Sequence, residues 1–263
     1  MPAPPNFRPQ KPVQSPPPRE RRDQIRVIGL HAVQALFATA PERVERLFFA
    51  RELKREVDDF CKVLAAARKP FREVEGEELA KVGGTILHGG IVAVAAPRPA
   101  LLFDPLLTAR AARSLPLLLC LDGIGNPHNL GAIIRTAAFF GLDRIVLSDH
   151  PAQAGASDAT YRVAEGGLEH VTLYEAKGFV AGLKKLKPTF SVVGTALEGG
   201  KPLSELKRDR PIALILGNEE SGMSPASLAA CDQVVMLPGS GRVQSLNVAA
   251  TAAILIHALT QRA

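Results

Sequence analysis

Short apolar runs alternate along this chain with longer segments whose apolar positions recur every three or four residues. In the second half, runs at 116–122, 144–147, 171–173, 190–194, 212–216 and 234–237 predict strands. Helical spacing fits 129–140, 176–186, 225–230 and 245–259. Strands that are apolar on both faces and separated by helices imply a mostly parallel sheet covered on each side. The first half repeats the idea on a smaller scale. Helices are expected over 31–38 and 52–69, the second presenting Val57, Phe60, Cys61 and Leu64 on one face. Strands are expected over 47–49 and 91–95. The fold class is therefore α/β, with a small α/β domain over 25–97 and a larger parallel-sheet domain over 115–263. A linker over 98–114, marked by Pro97-Arg98-Pro99, joins them.

Residues 1–24 break the pattern. They hold eight prolines and almost no large apolar side chains, so they cannot bury enough surface to offset ordering and are expected to form a disordered arm. Five Lys/Arg against two acids there supply about half of the net charge of +6. Mild basicity of this kind is compatible with a nucleic-acid partner without requiring one. The three cysteines are far apart, with no metal-ligand spacing, and their odd number argues against a disulfide scaffold. No apolar run has the length needed to span a bilayer, and the first residues lack the apolar core of a secretory signal. A cytoplasmic protein without a metal is the expectation.

Polar residues and glycines gather after three of the predicted strands. The first loop is Asp122-Gly123-Ile124-Gly125-Asn126-Pro127-His128-Asn129-Leu130-Gly131, leading into a helix that carries Arg135. The second is Gly217-Asn218-Glu219-Glu220-Ser221-Gly222-Met223-Ser224, and the third is Pro238-Gly239-Ser240-Gly241 continuing to Ser245-Leu246-Asn247. In a parallel sheet such loops converge at the carboxyl ends of the strands, where α/β enzymes hold their ligands. A dinucleotide fingerprint is a poor match to the third loop, because Gln244 occupies the third glycine position. No glycine is followed at the required spacing by Gly-Lys-Ser/Thr, so a Walker phosphate loop is absent.

Taken together, the loops resemble the three motifs of the SpoU/TrmH RNA ribose 2′-O-methyltransferases of the SPOUT superfamily. Asn129, Gly131, Arg135, Ala137 and Phe140-Gly141 are similar to the first motif. Gly217, Glu219, Gly222 and Met223 are similar to the second, and Leu237, Pro238, Gly241, Ser245, Leu246, Asn247 and Val248 to the third. The segment from Ile28-Gly29 to His88-Gly89-Gly90-Ile91-Val92 resembles the family's L30e-like substrate-binding domain. Gly239 and Ala249 depart from the motif, which often has methionine and serine there.

The resemblance implies a deep trefoil knot at the C-terminal end, a homodimer formed through the larger domain, and S-adenosylmethionine as cofactor. It implies an RNA substrate, ribosomal in the leading reading, with transfer RNA or a catalytically silent RNA-binding protein as alternatives. A nicotinamide-dependent oxidoreductase is a further alternative. Thr195, Gly217, Leu237 and Leu246 are the implied cofactor-binding residues, and Arg135, Asn129, Glu219, Ser245 and Asn247 the implied catalytic ones. Arg135 is either the base or an electrostatic stabiliser, and the reluctance of a guanidinium to give up a proton disfavours the base. Asn129 orients Arg135 or the ribose, and Glu219 pairs with Arg135 or orders its own loop. Ser245 caps the last helix or meets substrate, and Asn247 braces the knot or does the same. His128, next to Asn129, is a lesser candidate for a direct role.

Overall fold

The computed structural model describes residues 24–112 and 117–261, so the expected N-terminal arm, apart from Gln24, lies outside the described residues. Two sheets organise the chain. The first has the order β1-β4-β2-β3, formed by β1 (Ile25–Ile28), β2 (Val44–Phe49), β3 (Phe71–Glu73) and β4 (Ile91–Ala95). All five residues of β4 are buried, as expected for the strand that runs antiparallel between β1 and β2. Helices α1 (Leu30–Thr39), α2 (Asp58–Ala66) and α3 (Gly76–Gly83) complete this unit. The helix expected over 52–69 is shorter in fact: Arg51–Leu53 is a separate 3-10 turn, and only Asp58–Ala66 is α-helical.

The second sheet has eight strands in the order β10-β12-β9-β11-β6-β7-β8-β5, all paired in parallel. They are β5 (Leu101–Leu102), β6 (Leu117–Asp122), β7 (Arg144–Leu147), β8 (Thr172–Glu175), β9 (Ser191–Thr195), β10 (Lys201–Pro202), β11 (Ile212–Gly217) and β12 (Gln233–Met236). The helices are α4 (Pro105–Arg110), α5 (Pro127–Phe139), α6 (Asp158–Ala164), α7 (Gly167–His170), α8 (Phe179–Leu186), α9 (Pro225–Ala229) and α10 (Val248–Thr260). The described part of the expected linker over 98–114, residues 98–112, thus supplies β5 and α4 to this layer.

Every residue of β6 and β11 is buried, and the pleat sends alternate side chains to opposite faces. Leu119 and Leu121 join one apolar cluster with Ile133 and Ile134 of α5 and Leu255 of α10. Leu118 and Cys120 join another with Phe179 and Leu183 of α8. The first cluster also holds Val27, Val33 and Leu36, so the two sheets share one core. Buried polar groups pin that junction. Arg43, in the 3-10 turn between α1 and β2, donates to Glu169 at 2.6 Å and to the Tyr161 hydroxyl at 3.1 Å, while Arg98 donates to the carbonyls of Leu168 and Glu169. The Glu169 side chain is only 1% exposed. A buried ion pair of this kind destabilises by about 3–5 kcal/mol when one partner is removed, because the other charge is left without compensation. Among the described residues no helix is long and apolar enough to cross a membrane.

Candidate active site

The three loops do meet. β9, β11 and β6 are hydrogen-bonded neighbours and β12 lies beyond β9, so the segments after β6, β11 and β12 leave the sheet along one edge. The first loop turns at Gly123, whose φ of 79° suits glycine, and its N–H donates to Ser148 and Gln153, each at 3.0 Å. Asn126 then caps α5 by accepting from the His128 N–H at 2.8 Å, with Pro127 in the first helical turn.

The second loop is a tight turn built by Asn218. Its Oδ1 accepts from the backbone of Glu220 and Ser221, and its Nδ2 donates to the Gly123 carbonyl at 2.7 Å, which ties the second loop to the first. The Ser224 N–H, donated to buried Asp122 at 3.1 Å, makes a second tie. Gly217 lies so close beneath this turn that a Cβ there would collide with the Met223 nitrogen and the Gly222 backbone. Met223 in turn receives the Thr195 N–H on its sulfur at 3.3 Å, while the Thr195 hydroxyl donates to the Ile215 carbonyl. Thr195 and Gly217 therefore stand on adjoining strand ends.

One side chain links all three loops. Asn129 donates from Nδ2 to Glu219 Oε1 at 2.7 Å, and its Oδ1 accepts from Asn247 Nδ2 at 3.0 Å. Both ends of its amide are committed, which sets its orientation without ambiguity. Glu219 Oε2 accepts further from the Gly125 N–H at 3.3 Å and from Asn218 at 3.4 Å. Its carboxylate is thus met by three neutral donors, and an arginine is not among them.

Arg135 stands elsewhere. It pairs with Glu165 at 2.9 Å and remains 58% exposed. The expectations that Glu219 pairs with Arg135, or that Asn129 orients it, are corrected accordingly. A second correction concerns the last helix. Asn247, not Ser245, is its cap, accepting from the Ala249 N–H at 2.8 Å, and the helix begins at Val248. Ser245 lies in the exposed run 238–247 and makes no hydrogen bond among the described residues. Leu237 packs partly against the core, whereas Leu246 in the same run is 50% exposed. His128 is exposed, with its backbone rather than its ring engaged at the cap.

The thiols near the sheet are not nucleophiles. Burial pushes Cys231 up to about 11, Lys187 opposing, and burial pushes Cys120 higher still. At neutral pH both remain protonated. No group of His, Cys, Asp and Glu able to hold a metal occurs among the described residues. Sequence reasoning missed three contributors: Gln153 and Asn218, which fasten the loops, and Glu165. Asn218 follows Gly217 in a stretch whose composition signals a turn; Gln153 and Glu165 carry no local signal.

What this geometry offers is a glycine-lined edge with exposed apolar side chains, a fixed carboxylate–amide–amide chain, and a half-exposed arginine held by one carboxylate. The SpoU rRNA Methylase family model matches residues 116–257, and the model for RNA 2′-O ribose methyltransferase substrate binding matches residues 26–100. The chain is 35% identical over 244 residues to the 23S rRNA (guanosine-2′-O-)-methyltransferase RlmB of Pseudomonas aeruginosa, covering 90% of this chain and 96% of that one. It is 33% identical over 239 residues to the uncharacterized tRNA/rRNA methyltransferase YfiF of Escherichia coli O157:H7, covering 90% of this chain and 68% of that one. The fold is similar to the AdoMet-bound rRNA methyltransferase from Sinorhizobium meliloti, with a TM-score of 0.74 and 21% identity over 91% of this chain and 87% of that one. With both halves of the chain matched and a relative above a third identical across nearly its full length, the chain belongs to the SpoU rRNA methylase family.

Proposed function

We propose that this chain transfers a methyl group from S-adenosylmethionine to the 2′-hydroxyl of a ribose in ribosomal RNA. The observation that carries the reading is the hydrogen-bonded chain Glu219–Asn129–Asn247, which joins three motif loops of a SpoU family member at one sheet edge. The residues present fit the cofactor. Gly217 lets the backbone of the second loop close over the strand end, and Leu237 and Leu246 supply apolar surface for an adenine ring. When bound, the cofactor supplies an electrophilic methyl group whose transfer needs no metal. Thr195, Gly217, Leu237 and Leu246 would hold it, Asn129 and Asn247 would present amide groups to the ribose, and Arg135 would meet the developing alkoxide or an adjacent phosphate. The larger unit, within 115–263, is the catalytic part of this reading, and 25–97 recruits folded RNA in the cytoplasm. Purified chain given methyl-labelled cofactor and unmodified ribosomal RNA transcripts is expected to yield 2′-O-methylation. Cofactor binding without any methylated RNA, ribosomal or transfer, would leave an RNA-binding protein of the same fold.

The homodimer and the knot belong to the same proposal. Phe139 on α5 is 83% exposed and Ile254 on α10 is 44% exposed, on two helices that pack together, and this supports pairing through that face. A monomer mass at micromolar concentration by sedimentation would remove the dimer. The knot concerns the passage from β12 through 238–247 into α10, and a crystal structure whose chain reaches α10 without threading another loop would remove it.

A further inference from the structure

The turn between α6 and α7 makes contacts in two directions. Glu165 pairs with Arg135 at 2.9 Å. The next residue, Gly166, packs on α1 of the small unit so closely that a Cβ there would stand 3.0 Å from the Ala35 Cβ and 3.2 Å from the Ala32 Cα. Gly167 packs on the backbone of Arg135 itself, at 3.2 Å from its Cα by the same measure. The opposite end of α6 is also held by the small unit, where Arg26 donates to Asp158 from its backbone at 2.9 Å and from its guanidinium at 2.6 Å.

Glu165 is held at a conformational disadvantage. Its φ of 44° and ψ of 47° are left-handed, a region that suits glycine and disfavours side chains carrying a Cβ. Among the described residues only Arg68 and Glu165 combine a positive φ with a side chain. The chain has glycine at the next two positions but a glutamate here. The ion pair does not repay this as stability, since both side chains are more than half exposed and such pairs contribute little. Strain kept where glycine would relieve it points to use of the side chain.

We infer that Glu165 is a positioning residue for Arg135. Its carboxylate holds the guanidinium in one place before RNA arrives, and docking of the small unit on Gly166 sets where that carboxylate stands. A long arginine side chain has many rotamers to lose, and a partner that selects among them beforehand lowers the barrier to reaction. Arg135 keeps enough exposure to accept an RNA anion while so held. This inference rests on the proposed role of Arg135.

The test uses the full chain, methyl-labelled S-adenosylmethionine and an unmodified ribosomal RNA transcript. Glu165→Gly removes the carboxylate and relieves the left-handed backbone, so its unfolding midpoint is expected to equal or exceed that of the parent. Its kcat is expected to fall about fivefold, with KM for the cofactor within about twofold, as suits loss of an exposed contact worth about 1 kcal/mol. Glu165→Gln retains an acceptor oxygen and is expected to fall between the two. In an Arg135→Ala background, Glu165→Gly is expected to cost nothing further. Undiminished kcat in Glu165→Gly beside an inactive Arg135→Ala overturns the positioning role and leaves the role of Arg135 standing. A fall in kcat that is additive with Arg135→Ala, or that follows a lowered unfolding midpoint, overturns it too. Parental activity in Arg135→Ala would remove the catalytic arginine and this inference with it.

Discussion

Arg135→Ala is expected to lower kcat for RNA methylation by about 10²–10³-fold while leaving the affinity for S-adenosylmethionine within about twofold, the usual loss on deleting one group that stabilises developing charge. A guanidinium keeps its charge and is a poor candidate for a base. Its useful property is a fixed positive charge with planar donors. In the structure that charge is offered on α5, more than half exposed and held by a single carboxylate. The loop residues that line the glycine edge do not touch it, so its loss should spare cofactor binding. Arg135→Lys keeps the charge without the fork of donors and is expected to recover part of the rate. Single-turnover methylation with calorimetric titration of the cofactor reads both quantities. A loss confined to cofactor affinity would move Arg135 into the cofactor site.

Gly217→Ala is expected to abolish cofactor binding, by more than about 100-fold, and to destabilise the chain by about 3 kcal/mol. Overpacking of a close contact costs roughly 1–3 kcal/mol when neighbours can yield. Here the neighbours are backbone atoms of Gly222 and Met223, whose turn is fastened by Asn218 in both directions and by the Ser224–Asp122 bond. The methyl group therefore has to push the second loop off the sheet edge, which also disturbs Met223 and the Thr195 N–H that it accepts. Gly239→Ala serves as the control: a Cβ there meets nothing within 4 Å, so little change is expected. Calorimetry and denaturant unfolding measure the pair. Parental affinity in Gly217→Ala would show that the second loop is not part of the cofactor wall.

The elements that came readily from the sequence are those whose burial is two-sided. β6, β7 and β11 are short runs between helices, apolar except for Asp122 and Arg144 at strand ends, and a sheet covered on both faces hides them. Elements with mixed burial were harder. β1, α3, α6 and α7 do not stand out because their segments are short, and β1, α6 and α7 also pack across the junction of the two units. The start of α10 was misplaced because Ser245 is a favoured capping residue, yet Asn247 performs that task while also reaching Asn129. The loops were legible as a set through glycine and polar composition at strand ends. Their wiring was not: Asn129 lies 90 residues from Glu219 and Gly131 packs directly on Thr160, contacts that arise from topology alone. For the same reason the partner of Arg135 could not be read from its neighbours in the chain.

The network at the sheet edge also bears on how the molecule comes into being. Asn129 and Asn247 are 118 residues apart, and the second of them caps α10. A growing chain thus carries β6, β11 and nearly all of its parallel sheet before the third wall of the pocket exists. A chain cut before residue 238 keeps Thr195 and Gly217 on its central strands but lacks Leu246 and the Asn247 brace. The braced pocket therefore needs residues 238–247 as well as the sheet.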